Sequence, residues 1–129
     1  EFRKGGYIMS DCTRDPDVVI IATGSEVWVA LEVLKILKEV RVRVVNLGCW
    51  EIFDEQSENY RQKVLGPQSK LRVSIEAGIT TGWEHYTGLN GLNIGIDTFG
   101  ESAPGNEVAD HFGLIPEKIA DRIRNHLKL

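Results

Sequence analysis

The stretch Val18-Val-Ile-Ile-Ala22 runs directly into Thr23-Gly-Ser-Glu26, and Val42-Arg-Val-Val-Asn-Leu47 follows downstream. The first segment is an unbroken, mostly β-branched apolar run, the pattern of a strand covered on both faces. Between the two runs, Val27, Ala30, Leu31, Leu34 and Leu37 recur at helical spacing. Thr23 is placed to cap that helix, with Glu26 three residues on as in a capping box, and Ser25 is the competing cap. Lys35 and Lys38 fall near its end, where the helix dipole favours positive charge. Strand, helix and strand within about 30 residues make a βαβ unit, whose crossover is right-handed in nearly all known cases.

Outward from this unit the same reading continues. Tyr7-Ile-Met-Ser-Asp11 is a short edge strand, and Thr13-Arg-Asp-Pro-Asp17 is a turn. Residues 57–65 form a polar helix with Tyr60, Val64 and Leu65 inward, stopped by Gly66-Pro67. Leu71-Arg-Val-Ser-Ile-Glu76 alternates as a strand. A short helical piece surrounds Trp83-Glu-His-Tyr86, Gly88-Leu-Asn-Gly91 is a turn, and residues 92–96 form a last short strand. Residues 107–112 read as a helix ending at Gly113. Pro116 opens a final helix whose apolar stripe is Ile115, Ile119, Ile123 and Leu127, with Lys118, Asp121, Arg122 and Arg124 outside it. The alternation predicts an α/β fold of three layers: a five-stranded, mostly parallel sheet with helices on both faces, its interior made of Val19, Ile21, Val44, Leu47, Val73 and Ile75 with Leu31, Leu34, Ile119 and Ile123 packed on it. Residues 1–129 read as one domain without repeat or linker.

Composition narrows the function classes. Hydrophobic residues make up 42% and charged residues 26% of 129, an ordinary globular balance. A net charge of −4 gives no footprint for nucleic acid. No apolar run approaches the roughly 20 residues of a membrane helix. A chain opening on Glu1 reads as an excised or processed piece of something longer. Cys12 and Cys49 have no metal-ligand spacing. Two free thiols in a reducing compartment is the simpler reading, and a disulfide between them is the alternative that spacing leaves open.

The motifs that invite chemistry are weak. Ala22-Thr-Gly-Ser-Glu26 sits at a strand-to-helix turn, where backbone amides could hold an anion. Gly24 is its single glycine, and it lacks both the dinucleotide fingerprint and the lysine of a phosphate loop. His85, His111 and His126 lie in different elements and form no metal pattern. Glu76 enters a glycine turn and reads as structural. Trp28, Trp50 and Trp83 read as core or domain-contact residues. The 97–105 segment, Asp97-Thr-Phe-Gly-Glu-Ser-Ala-Pro-Gly105, is either a ligand loop or a long crossover, and together with the Cys49–Phe53 turn it is the candidate surface for contact with neighbouring domains.

Taken together, several stretches resemble the C-terminal domain of the bacterial, yeast and plant type of transketolase. They are Lys4-Gly-Gly-Tyr-Ile8, Ile21-Ala-Thr-Gly-Ser-Glu26, Val42-Arg-Val-Val45, Cys49-Trp-Glu-Ile-Phe-Asp-Glu-Gln56, Tyr60-Arg61, Arg72-Val-Ser-Ile-Glu-Ala-Gly78, Gly82-Trp-Glu84, Gly95-Ile-Asp97, Phe99-Gly-Glu-Ser-Ala-Pro104 and Phe112-Gly113. They occur in family order, with Gly48 and Glu39 departing from the family's usual residues at loops or element ends. The resemblance implies a mixed sheet with the Tyr7–Asp11 strand antiparallel to the rest. It implies a cytoplasmic parent enzyme, with a plastid origin left open, that acts as a homodimer. That enzyme moves a two-carbon ketol unit from a ketose phosphate to an aldose phosphate with thiamine diphosphate and magnesium or calcium. The family's catalytic, cofactor and metal residues belong to the preceding domains, which would be this chain's partners. Its substrate-phosphate arginine lies upstream of the Lys4 stretch, and Arg3 is not that residue. The resemblance therefore carries no catalytic, cofactor-binding or metal residue into this chain. The alternatives are a regulatory module that binds a protein or a ligand, with residues 97–105 as its loop, and a free-standing nucleotide-binding domain. The missing glycines disfavour the latter.

Overall fold

A computed structural model describes residues 2–67, 69–77, 81–95 and 115–128. After a 3₁₀ turn at Phe2–Lys4, the described elements run β1 (Gly6–Ser10), β2 (Val18–Ala22), α1 (Glu26–Ile36), β3 (Val42–Leu47), α2 (Trp50–Asp54), α3 (Glu58–Leu65), β4 (Leu71–Ile75), α4 (Glu84–Thr87), β5 (Leu92–Ile94) and α5 (Pro116–Leu127). The sheet has the order β1-β3-β2-β4-β5. β1 pairs antiparallel with β3, while the β2–β3, β2–β4 and β4–β5 pairs are parallel. The expected five-stranded mixed sheet is therefore present, with its antiparallel strand at an edge. The predicted helix at 107–112 and its Gly113 cap lie outside the described residues.

The central strand β2 shows why the fold holds. All five of its residues are fully buried, and alternation sends them to opposite faces. Val18, Ile20 and Ala22 join Val44, Val73, Ile75 and Ile94 under α1 and α5, which contribute Ala30, Val33, Ile119 and Ile123. Val19 and Ile21 face the other way, with Val45 and Leu47, against Phe53, Val64, Trp83 and Tyr86 from α2, α3 and α4. The predicted interior, Val19, Ile21, Val44, Leu47, Val73 and Ile75 with Ile119 and Ile123, is buried throughout. Leu31 and Leu34 are only partly buried, and Val33 takes the inward position between them.

Four local expectations need correction. The Thr23–Glu26 capping box does not form. Ser25 is the N-cap in an α conformation, and its hydroxyl bonds Glu26 Oε2 at 2.7 Å rather than a backbone amide. The helix start instead relies on the Thr23 and Gly24 carbonyls, which accept from the Glu26 and Val27 amides at 3.2 Å each. The edge strand begins and ends one residue earlier than its apolar pattern suggested, at Gly6 and Ser10. Residues 49–53, read as a turn, are mostly the helix α2, and Phe53 inside it is fully buried. The last strand ends at Ile94, short of 96. Ser57, by contrast, caps α3 through its hydroxyl, which accepts from the Tyr60 amide at 3.1 Å.

Gly5 fixes how the chain enters the sheet. It sits at φ +82°, and a Cβ there would run into the Cys49 carbonyl and the Phe53 amide. Its own carbonyl accepts from the Cys49 amide at 2.9 Å, which seats the start of α2 against the head of β1. Arg43 ties the opposite end of the same edge. Its Nε bonds Asp11 Oδ1 at 2.8 Å, and its Nη1 bonds the Lys63 and Val64 carbonyls at 2.7 and 3.2 Å. Arg124 joins the two helices on the first face by pairing with Glu39 at 2.7 Å and with the Ile36 carbonyl at 3.2 Å.

Candidate functional site

The antiparallel register separates the cysteines. Gly6 pairs with Leu47 and Ser10 with Val44, so Cys49 follows one end of the β1–β3 ribbon and Cys12 lies beyond the other. Several residues of strand at about 3.3 Å each keep them far outside the roughly 7 Å Cα limit for a disulfide, and both are free thiols. His85 stands on α4 and His126 near the end of α5, where its ring meets the Asn90 carbonyl at 3.2 Å. His111 lies outside the described residues. Among the described residues no three His, Cys, Asp or Glu side chains are grouped as metal ligands. The described residues therefore offer no ligand set for a divalent metal. Gly24 is exposed at the turn after β2, with nothing within 4 Å of where a Cβ would stand. Glu76 has a structural contact: its Oε1 accepts from Trp83 Nε1 at 3.3 Å.

The tryptophans divide. Trp83 is 1% exposed. Trp50 packs edge-on against it at 4.9 Å between ring centroids, and against Tyr86 at 5.3 Å. Trp50, half-buried on α2, thus packs on the aromatic layer formed with Trp83 and Tyr86. Trp28 is the opposite case, 71% exposed on α1. It lines a groove of about 320 Å³ with Met9, Val27, Leu31, Gly24 and Asn46. Sequence reasoning singled out Cys49 to Phe53 and residues 97–105 as the contact surface. In the first, Phe53 is core and Cys49 and Trp50 are half-buried, while Glu51 and Ile52 are exposed; the second lies outside the described residues.

Two cavities went unread in the sequence. One, of about 180 Å³, lies among α2, α3, α4 and β4 and is lined by Asp54, Glu58, Arg61, Arg72, His85 and Tyr86 among others. Tyr86 donates to Asp54 Oδ1 at 3.0 Å, and His85 Nε2 is 3.7 Å from the same oxygen. Burial, and then the Asp54 carboxylate, push the Tyr86 hydroxyl well above the ordinary tyrosine range. It therefore stays a proton donor to Asp54 at any physiological pH and is unsuited to act as a base. The second cavity, of about 270 Å³, opens at the amino ends of β4 and β5. Arg72 lines both. Burial lowers its pKa. No motif marks either cavity, because each is assembled from elements distant in sequence.

A mixed sheet with its antiparallel strand at one edge, helices on both faces and an aromatic layer beneath two short helices defines a three-layer α/β domain. The profile of the Transketolase-like TK C-terminal domain matches residues 5–115, and the chain belongs to that family. It is 48% identical over 123 residues to a transketolase of Aquifex aeolicus, covering 94% of this chain and 18% of that enzyme. It is 47% identical over 120 residues to a chloroplastic transketolase of Solanum tuberosum, covering 90% and 16%. A solved transketolase from Leishmania mexicana superposes with a TM-score of 0.84 at 40% identity, covering 98% of this chain and 18% of that one. The chain thus spans less than a fifth of the length of these relatives.

Proposed function

We propose that this chain serves as a non-catalytic domain of a transketolase. Its parent enzyme transfers a two-carbon ketol unit between sugar phosphates, using thiamine diphosphate and a divalent metal held by other domains. The observation that carries this reading is the family match over residues 5–115 in a chain that accounts for only 18% of its Aquifex relative. The parent is a homodimer in this reading. Its compartment is the cytoplasm, with the plastid as the alternative that the chloroplastic relatives support. The domain meets the rest of its parent through the Met9, Val27, Trp28 and Leu31 groove, because a tryptophan 71% exposed is apolar surface that a domain contact covers.

The test joins this chain in frame to the remaining four-fifths of the Aquifex enzyme in place of that enzyme's own matching segment. The chimera is expected to transfer ketol units, while the chain alone does not. Replacing Trp28 with Asp in the chimera should lower its melting temperature more than the same change does in the isolated chain. Ketol transfer by the isolated chain would overturn the non-catalytic reading. An equal effect of Trp28→Asp in both contexts would overturn the docking face.

A further inference from the structure

The cavity of about 270 Å³ at the amino ends of β4 and β5 has a charge pattern that the proposed function does not use. Lys70 and Arg72 line it together with the Gly88–Gly91 turn, and among the described residues no carboxylate does. Arg43 and Arg124 meet carboxylates at 2.8 and 2.7 Å. Arg72 does not. It donates through Nη1 to the Tyr86 carbonyl at 3.0 Å and through Nη2 to the Gly66 carbonyl at 3.5 Å. Two contacts leave most of a guanidinium's five N–H groups unused, and no carboxylate among the described residues bonds this partly buried cation. Lys70 is available as well. Its side chain is 73% exposed, and the Asp17 carboxylate stands 3.8 Å away. That carboxylate already accepts from the Arg41 amide at 2.9 Å and the Arg41 guanidinium at 3.4 Å.

The neighbouring cavity shares Arg72 but is lined by Asp54 and Glu58, which would repel an anion, so an anion is directed to the Lys70 side. Around that side Ser69 and Asn90 offer polar groups to a tail, beside Pro67, Leu71 and Leu89. Ser69 has already donated its hydroxyl hydrogen to the Gly66 carbonyl at 2.9 Å, so its oxygen meets a ligand as an acceptor. The cavity falls just under the about 300 Å³ at which drug-sized pockets begin, larger than a bare oxyanion needs. We propose that this cavity binds a small phosphorylated polyol, its phosphate held between Arg72 and Lys70 and its hydroxyl tail lying along Ser69 and the Gly88–Gly91 turn. A guanidinium fork with a nearby ammonium is the donor set that a phosphate dianion takes up.

The experiment titrates the isotope-labelled chain with inorganic phosphate, with glycerol 3-phosphate and with chloride at matched ionic strength, following amide shifts by nuclear magnetic resonance. Glycerol 3-phosphate should shift the amides of residues 69–72 and 87–91 saturably, and more tightly than phosphate does, while chloride produces no saturable change. Lys70→Glu should weaken binding about tenfold, since it removes one exposed charge contact and adds a like-charge one, while the amide spectrum keeps the dispersion of a folded chain. Arg72→Lys, which keeps the charge and loses the fork, should weaken it as well. Shifts that match chloride, saturable shifts centred elsewhere, or Lys70→Glu binding as tightly as the parent would each overturn the site. Equal affinity for phosphate and glycerol 3-phosphate would overturn the polyol assignment.

Discussion

Replacing Arg43 with Met tests how the antiparallel edge is held. Arg43 is 9% exposed, and its guanidinium spans from Asp11 beyond β1 to the Lys63 and Val64 carbonyls near the end of α3. Methionine keeps much of the apolar stem, so the loss is mainly polar. Asp11 is 43% exposed at its side chain. It recovers water when unpaired, and that contact counts as a surface pair worth at most about 1 kcal/mol. The two carbonyls lose a charged donor at a buried site and account for about 1.5–2 kcal/mol more. The total expected loss is about 2–3 kcal/mol, read as a lower urea midpoint at unchanged slope by circular dichroism. Acid adds a second readout. Burial alone would raise the Asp11 carboxyl, but Arg43 and the Cys12 amide outweigh it and hold its pKa below the ordinary value. Asp11 therefore stabilises the fold fully above about pH 5, and that contribution is lost as pH falls through its lowered value. The Arg43→Met protein should show less of this acid-side decline. A midpoint within about 0.5 kcal/mol of the parent, the usual spread for surface changes, would refute the reasoning.

Other outcomes follow from the same contacts. Gly5→Ala should cost at least about 3 kcal/mol, because the backbone strain at φ +82° adds to a clash with the Cys49 carbonyl; a thermal melt checks it. Ile21→Asp should prevent folding, since an unpaired carboxylate at a fully buried central-strand position is not tolerated; loss of the far-ultraviolet signal is the readout. Trp28→Ser should reduce any self-association seen by sedimentation while leaving the melt within about 0.5 kcal/mol of the parent, because Trp28 is exposed. Trp50→Ser should instead destabilise, by removing the edge-on contacts to Trp83 and Tyr86 at 4.9 and 5.3 Å.

Local patterning carried most of the fold. Val18–Ala22 and Val42–Leu47 are strands at the bounds their apolar runs indicated, because burial on both faces leaves a contiguous signature. α5 was equally legible from Pro116 and the Ile119–Ile123 stripe. α2 was not, because five residues from Trp50 to Asp54 are too few to show a helical period, and its N-cap Cys49 makes no side-chain cap bond. Which of Trp28, Trp50 and Trp83 is exposed was not legible for a related reason. Exposure depends on which helix face meets the sheet, and Trp28 lies one position from the buried Val27. The two cavities were unreadable for a topological reason: Arg72 and the Gly88–Gly91 turn become neighbours only through the parallel pairing of β4 with β5.

The most direct test of the non-catalytic reading is a calorimetric titration of the isolated chain with thiamine diphosphate in excess magnesium, followed by a ketol-transfer assay on the same sample. Saturable binding heat and turnover are both expected to be absent. Micromolar binding, about −8 kcal/mol, accompanied by transfer of a two-carbon unit between sugar phosphates, would contradict the account.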